Sequence, residues 1–207
     1  MDKRPNTIID IQSVIPSIVL DIRYCSVDNF VGVPIDGYLA PKVFLSIPAC
    51  RAIEQAQSML ALFDLGIKIY DAYRPQMSVD HFIRWSQSEY NNEMKVIYYP
   101  ELDKKELFNK GFIARQSSHS RASTVDITLI DLSSPSFHEL DMGTAWDYFH
   151  PASWTYYKKL THEQRANRML LQQVMSRVGF RGLKQEWWHF TLEKEPFPDT
   201  YFNFPIE

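Results

Sequence analysis

Helical and strand patterns follow one another irregularly along this sequence, and their order constrains the fold more than any other feature. Apolar residues spaced three and four apart predict amphipathic helices, whereas alternating apolar residues predict half-buried strands. A regular strand–helix–strand rhythm would predict a parallel sheet, and this sequence lacks that rhythm. We therefore predict an α+β fold with a largely antiparallel sheet and flanking helices.

The predicted elements follow from these periods and from the residues that begin or end helices. Residues 46–65 predict a helix that Gly66 ends. Thr161 and Gln164 predict a capping box at the start of a helix over residues 161–178. Further helices are predicted at residues 78–89 and 103–109, and strands at residues 19–24, 67–72, 125–130 and 187–192.

The composition is that of a globular protein rich in aromatic residues. Of the 207 residues, 45% are hydrophobic and 23% are charged, so the chain can bury a core without the help of disulfides. Aromatic residues make up 14% of the chain, which predicts a core and a pocket walled with rings. We expect residues 1–207 to form a single compact domain.

Charge and hydropathy argue against nucleic-acid and membrane partners. The net charge is −3, and no block of Lys and Arg stands out. No apolar run approaches the ~18 residues of a membrane span, and the first ten residues lack the apolar stretch of a signal peptide. Cys25 and Cys50 predict two reduced thiols in a cytoplasmic protein. A periplasmic protein whose leader had been removed would have the same sequence.

Two of the six histidines lie in contexts that suit a metal site. His119 is followed by Asp126, and His189 is preceded by Glu186. Catalytic zinc commonly takes three ligands from His, Asp and Glu and leaves one position for water. His119, Asp126 and His189 would supply that set, and Glu186 would be the spare carboxylate that takes a proton from the attacking water.

The spacing within both pairs places a demand on the fold. The paired residues are seven and three positions apart, and an odd separation puts two side chains on opposite faces of a straight strand. The chain must therefore turn or bulge within residues 120–123, and Glu186 must lie just before its regular strand or at a bulge. Each pair alone is a weak signal, since core or loop histidines occur in such contexts and Asp147 with His150 is a rival pair.

Three motifs, taken in order, resemble those of a known family. The sequence has Tyr-Asp-Ala-Tyr-Arg-Pro at residues 70–75, then Ser117 with His119 and Asp126, then Glu-Trp-Trp-His at residues 186–189. This order resembles the zinc D-alanyl-D-alanine dipeptidases, the VanX-type enzymes among the D-Ala-D-Ala metallopeptidases. The resemblance runs from about residue 24 to residue 190.

The resemblance implies a zinc site in a cleft and a role for each residue around it. His119, Asp126 and His189 would bind one Zn²⁺ per chain. Glu186 would be the general base and then the acid that protonates the leaving amine. Arg74 would polarise the scissile carbonyl and stabilise the oxyanion, because its charge persists at any working pH.

The resemblance also implies how a small D,D-dipeptide would bind. Asp147, helped by Tyr24, would form an ion pair with the substrate ammonium. Ser117 would form a hydrogen bond near the C-terminal carboxylate of the substrate. The chain departs from the family at Ala122, where Gly is usual, and at Trp146, where we expect Phe. A left-handed backbone at Ala122 would be strained, and Trp146 would narrow or redirect the substrate pocket.

Two other functions stay open at this stage. A related D-Ala-D-Ala carboxypeptidase or murein endopeptidase would need an open groove for longer peptides. A non-catalytic zinc or peptidoglycan-binding module would be expected to lose the base or the arginine, whereas Glu186 and Arg74 are both present. Asp71 is a candidate to orient Arg74 or a ligand histidine. Oligomeric state and biological role, whether vancomycin resistance or salvage of wall peptides, do not follow from the sequence.

Overall fold

The fold is a mixed sheet with helices around it, as seen in a computed structural model that describes residues 3–89, 93–133 and 136–207. The strands of the described residues are β1 (Ile8–Asp10), β2 (Val19–Leu20), β3 (Phe44–Ser46), β4 (Leu65–Asp71), β5 (Thr124–Asp131), β6 (Phe180–Leu183) and β7 (Glu186–Leu192). The α-helices are α1 (Ile47–Ala61), α2 (Gln76–Gln87), α3 (Lys95–Tyr98), α4 (Lys104–Asn109) and α5 (His162–Arg177).

The main sheet has five strands in the order β2-β4-β5-β7-β6. Only β2 and β4 pair in parallel, and the other neighbours in this sheet are antiparallel. Strands β1 and β3 form a separate antiparallel pair. The predicted α+β class with a largely antiparallel sheet is confirmed.

The register of the three central strands brings polar residues into one row. Asp71 of β4 pairs with Asp126 of β5, after a bulge at the end of β4. Asp126 pairs in turn with His189 of β7. Directly opposed residues in a sheet have their Cβ atoms about 4.5–5.5 Å apart, so the sheet itself gathers these three side chains.

Helix α1 ends earlier than the sequence predicts. It stops at Ala61, and the chain then reverses through Asp64, whose φ of 55° is left-handed. Gly66, which we expected to end the helix, lies inside β4. Phe63 continues the apolar spacing but is 74% exposed because it lies beyond the helix end. A helix predicted from apolar spacing alone is therefore too long when a strand follows after only a short turn.

Helix α5 has the predicted capping box. The Gln164 amide N–H donates to Thr161 Oγ1 at 3.2 Å, and the Thr161 amide N–H donates to Gln164 Oε1 at 3.0 Å. These bonds satisfy backbone groups that the first helical turn leaves free. The buried face of the helix consists of Arg168, Leu171, Val174 and Met175.

A buried arginine ties α5 to the long loop that precedes it. Arg168 donates from Nε to the Met142 carbonyl at 2.7 Å, from Nη1 to the Trp154 carbonyl at 2.6 Å and from Nη2 to the Ala152 carbonyl at 2.9 Å. Burial lowers the pKa of this guanidinium to about 10. Hydrogen bonds from a charged donor contribute about 1.5–3 kcal/mol each, so residues 142–154 are held as an ordered loop.

The predicted aromatic core is confirmed. Buried rings contact one another at centroid distances of 4.8–6.1 Å and meet edge to face or tilted. The members of this cluster are Tyr24, Phe30, Phe82, Trp85, Trp146 and Phe149. None of the described helices is both long enough and apolar enough to cross a bilayer.

Candidate metal centre and substrate cleft

Three predicted ligands converge on one point. The potential ligand atoms of His119, Asp126 and His189 all lie within 4.8 Å of one another. His119 Nε2 is 3.2 Å from His189 Nδ1. Asp126 Oδ1 is 3.3 Å from the first of these nitrogens and 3.1 Å from the second. Two imidazole nitrogens and one carboxylate oxygen therefore face a shared centre.

A tight turn allows His119 and Asp126 to meet despite their odd separation. His119 lies in a 3₁₀ turn, Ser118–Arg121, which directly precedes β5. Ala122 ends the turn with φ 56° and ψ 30°, a left-handed conformation that costs an L-residue about 1–2 kcal/mol. The predicted turn before the strand is confirmed, and the strained position is the one where the sequence departs from the glycine usual in the resembled family.

Hydrogen bonds on the far side of each ring fix which nitrogen faces the centre. His119 Nδ1 lies 2.6 Å from the Ala72 carbonyl. A carbonyl can only accept, so Nδ1 carries the proton and Nε2 offers its lone pair. His189 Nε2 lies 3.3 Å from Ser118 Oγ, and its Nδ1 is the nitrogen on the side of the centre. Metal-ligating histidines are commonly oriented in this way.

The Asp126 carboxylate lies between the two rings, and one of its oxygens has no hydrogen-bond partner among the described residues. Asp126 Oδ1 is buried and has no hydrogen-bond donor among the residues that the structure describes. Burial alone would raise the pKa of Asp126, but when the rings are protonated, hydrogen bonds from His119 and His189 and their positive charge hold it well below its usual range. A divalent cation would take the place of those protons, and this mixed N and O donor set is one that zinc takes.

Glu186 lies beside the three candidate ligands, at an irregularity in the sheet. Gly182 of β6 pairs with Phe190, but the next residue, Leu183, pairs with Glu186. Strand β7 therefore bulges, as the odd separation from His189 requires. Glu186 Oε2 is 3.5 Å from His189 Nδ1, and burial raises the pKa of Glu186 to about 7. The carboxyl group is thus suited to exchange a proton near neutral pH.

Arg74 is held in place by a carboxylate behind it. Its Nε and Nη2 donate to Asp71 Oδ2 at 2.9 and 2.6 Å. Tyr38, a residue that no sequence motif marked, donates from its hydroxyl to Asp71 Oδ1 at 2.6 Å. Nη2 of Arg74 is also 3.7 Å from Asp126 Oδ2. The guanidinium therefore lies next to the candidate metal ligands in a fixed orientation.

The two roles considered for Asp71 are separated by these contacts. Its Oδ2 is 3.6 Å from His119 Nδ1, but the proton on that nitrogen is directed to the Ala72 carbonyl. The short bonds of Asp71 are to Arg74. Asp71 therefore orients the arginine and not His119, the candidate ligand.

A second buried carboxylate, Asp147, lines the same cavity as the three candidate ligands. Asp147 is 5% exposed and has a left-handed φ of 58°. The Tyr24 hydroxyl donates to its Oδ2 at 2.6 Å. Burial and the charge of Asp126 raise the pKa of Asp147 well above its usual range. A carboxylate in this setting gains from a cationic partner.

The turn that carries Tyr24 differs from the sequence prediction. Residues 19–24 were predicted to form one strand, but β2 ends at Leu20, and a 3₁₀ turn, Arg23–Cys25, follows it. The guanidinium of Arg23 donates to Asp21 Oδ2 at 3.0 Å, a local side-chain bond that accompanies the turn. The turn directs the Tyr24 ring into the buried aromatic cluster.

All eight predicted site residues line one cavity of about 250 Å³. This is smaller than pockets for drug-sized ligands, which are roughly 300–1,000 Å³. The site residues on its wall are Tyr24, Arg74, Ser117, His119, Asp126, Asp147, Glu186 and His189. Phe30, Phe82, Phe112 and Phe149 supply aromatic wall. The cavity suits a small molecule with polar or charged ends.

Two residues that the sequence marked do not line this cavity. Trp146 is expected from the sequence to narrow or redirect the pocket, but it is not among the residues that line the cavity. His150, from the rival pair, points elsewhere: its Nε2 is 3.1 Å from Glu101 Oε2, and its Nδ1 accepts from the Ala152 amide. Asp147 thus lines the cavity without His150.

Comparisons with known proteins match D-Ala-D-Ala dipeptidases over most of the chain. A family model described as D-ala-D-ala dipeptidase matches residues 4–207. A D-alanyl-D-alanine dipeptidase of Streptomyces coelicolor is 38% identical over 95% of this chain and 96% of its own length. One of Enterococcus faecalis is 38% identical over 90% of this chain and 91% of its own. One of Escherichia coli K12 is 29% identical over 89% and 84%. The chain belongs to the D-Ala-D-Ala dipeptidase family of peptidases.

Proposed function

We propose that this protein is a zinc-dependent dipeptidase that hydrolyses free D-Ala-D-Ala. The observation that carries the proposal is one small cavity that is lined both by the candidate metal-ligand group and by the buried carboxylate of Asp147. A free dipeptide has an ammonium group close to its only peptide bond. A cleft that places Asp147 near the candidate metal centre matches that arrangement, and the names of the relatives support the substrate.

The metal would be held by His119 Nε2, Asp126 Oδ1 and His189 Nδ1. These are the atoms that face one another, and the far-side contacts of both histidines keep them available. When bound, zinc supplies a Lewis acid that polarises a carbonyl and makes water a nucleophile near neutral pH.

Glu186 would move the proton. Its carboxylate accepts the proton of the attacking water and then gives it to the nitrogen of the leaving D-alanine. The pKa of about 7 that burial produces supports both directions of transfer. Glu186 lies beside His189 but outside the group of three ligands, which leaves it free for this role.

Arg74 would stabilise the oxygen that becomes negative as the carbonyl is attacked. Asp71 and Tyr38 hold the guanidinium from behind, so it needs little reorganisation during the reaction. Asp147 and Tyr24 would bind the substrate ammonium. Ser117 would form a hydrogen bond near the carboxylate at the other end of the dipeptide. Together these groups would bind both charged ends of a dipeptide.

One observation favours the related carboxypeptidase or endopeptidase. A second cavity of about 570 Å³ shares Phe112, Phe149, Leu183 and Glu186 with the cleft. A longer peptide could extend into it. The burial of Asp147 argues the other way, because an uncharged amide placed there leaves that carboxylate desolvated without a cation.

A substrate panel separates the two. Zinc-loaded protein is assayed for the release of free alanine, without regard to its configuration, from D-Ala-D-Ala, its N-acetyl derivative and a tripeptide ending in D-Ala-D-Ala, with L-Ala-L-Ala as the stereochemical control. We expect hydrolysis of the free D,D-dipeptide and a rate about 100-fold or more lower for the blocked and extended substrates, since they lack the ammonium. Equal rates on the free and acetylated dipeptides would assign the protein to the carboxypeptidase alternative.

A further inference from the structure

Trp146 contacts the candidate metal centre from behind the cleft. Its indole Nε1–H donates to Asp126 Oδ2 at 3.3 Å, and both side chains are buried. Trp146 is 1% exposed and does not line the substrate cavity. Its contact is therefore with a metal ligand and not with the substrate.

The indole is fixed in this position by its neighbours. It stacks on Tyr70 with ring centroids 5.2 Å apart and planes 13° apart. Its centroid is 5.0 Å from that of Tyr24. A ring enclosed on these sides cannot turn its N–H away without disturbing the aromatic cluster, so the donor direction is set by packing.

The two oxygens of Asp126 have different surroundings. Oδ1 faces His119 Nε2 and His189 Nδ1 and lacks a donor among the described residues. Oδ2 accepts from Trp146 and lies 3.7 Å from Arg74 Nη2. The carboxylate is thus held by one oxygen, and the other is left for a metal.

We propose that Trp146 is a positioning residue of the metal site, which holds Asp126 so that Oδ1 alone is offered to the metal. The inference rests on the proposed function, because it assumes that the group of three ligands binds zinc. Phenylalanine, the residue expected here from the family resemblance, has no N–H to donate. The contact is therefore a property of this sequence that the resemblance alone does not supply.

The proposal predicts weaker metal binding without the indole N–H. Loss of a hydrogen bond that orients a metal ligand typically costs 10–100-fold in metal affinity or activity. In Trp146→Phe, Asp126 Oδ2 loses its donor, and the carboxylate is free to rotate or to offer both oxygens. We expect the apparent zinc Kd of this variant to rise about 10–100-fold.

The test measures metal binding directly. Metal-free wild type and Trp146→Phe compete for zinc with a chromophoric chelator, and Co²⁺-loaded samples report the coordination number by visible absorption. Trp187→Phe is the matched control, since Trp187 is 2% exposed and donates its indole N–H to Thr144 Oγ1 at 2.8 Å. We expect the control to bind zinc within about twofold of wild type, because Thr144 is not in the ligand group.

A second variant covers the case in which Trp146→Phe does not fold. Benzothienylalanine at position 146 keeps the shape of the indole and replaces the N–H by sulfur. An unchanged zinc Kd in either folded variant, or an equal loss in the Trp187→Phe control, would overturn the proposal. If wild type itself binds no zinc, the proposed function is wrong. If wild type binds zinc tightly and the affinity does not depend on Trp146, only the role given to Trp146 is wrong.

Discussion

Replacement of Glu186 by glutamine is expected to lower kcat for D-Ala-D-Ala by about 10²–10⁴-fold, the range that general acid–base catalysis contributes. Glutamine keeps the size of the side chain but cannot accept the proton of the attacking water. Zinc content should stay at one per chain, because Glu186 is outside the group formed by His119, Asp126 and His189. D-alanine release and metal analysis of the same sample check both parts.

Glu193→Gln is the control for this variant. Glu193 follows β7 directly and is exposed, so its substitution should leave kcat and zinc content unchanged. A Glu186→Gln protein with near-native turnover would contradict the role given to Glu186. Loss of zinc from that variant would instead make Glu186 a ligand.

Replacement of Asp147 by asparagine is expected to reduce kcat/KM for D-Ala-D-Ala by about 10²–10³-fold, mainly through KM. Removal of one partner of a buried charge pair costs 2–5 kcal/mol or more, and here the substrate ammonium would lose its carboxylate. Asparagine can still accept from the Tyr24 hydroxyl, so the local structure should survive. Steady-state kinetics with the free and N-acetylated dipeptides provide the measurement.

The acetylated substrate makes this test specific. Asparagine imposes no penalty on an uncharged amide, so the preference for the free dipeptide over its acetyl derivative should shrink. Asp141→Asn, at an exposed position earlier in the same loop, should leave that preference unchanged. If Asp147→Asn keeps the full preference for the free over the acetylated dipeptide, another group must bind the ammonium.

The sequence predicted the candidate ligands because each is next to an element with a strong local pattern. The alternating apolar residues of β5 and β7 fix where Asp126 and His189 lie, and the odd spacings require the turn at Ala122 and the bulge at Glu186. The structure brings these side chains together in the way that those spacings demand. Their chemical roles stay proposals that the variants above test.

The residues that support the site could not be predicted in the same way. Tyr38 reaches Asp71 across 33 positions of the chain, and Trp146 reaches Asp126 across 20. Such contacts depend on how elements pack and leave no periodic signal in either segment. The sequence marks Trp146 only as a departure from the expected Phe. That departure predicts a change in the shape of the substrate pocket and not a hydrogen bond to a candidate metal ligand.

Elements with weak local patterns were also missed or misplaced. Strand β6 has only four residues and includes Gly182, and glycine inside a strand weakens the pattern. Strand β2 ends at Leu20 because the chain turns at Arg23–Cys25. In both places the strand is specified by pairing with a neighbour, β7 or β4, and not by its own residues.

The most direct test of the central claim is a zinc titration of metal-free protein, with D-alanine release from D-Ala-D-Ala measured at each addition. If His119, Asp126 and His189 hold one catalytic zinc beside Glu186, activity should start near zero, rise in proportion to zinc and level off at one equivalent per chain. Full activity in the metal-free protein, or no D-alanine release after one equivalent has bound, would contradict the account.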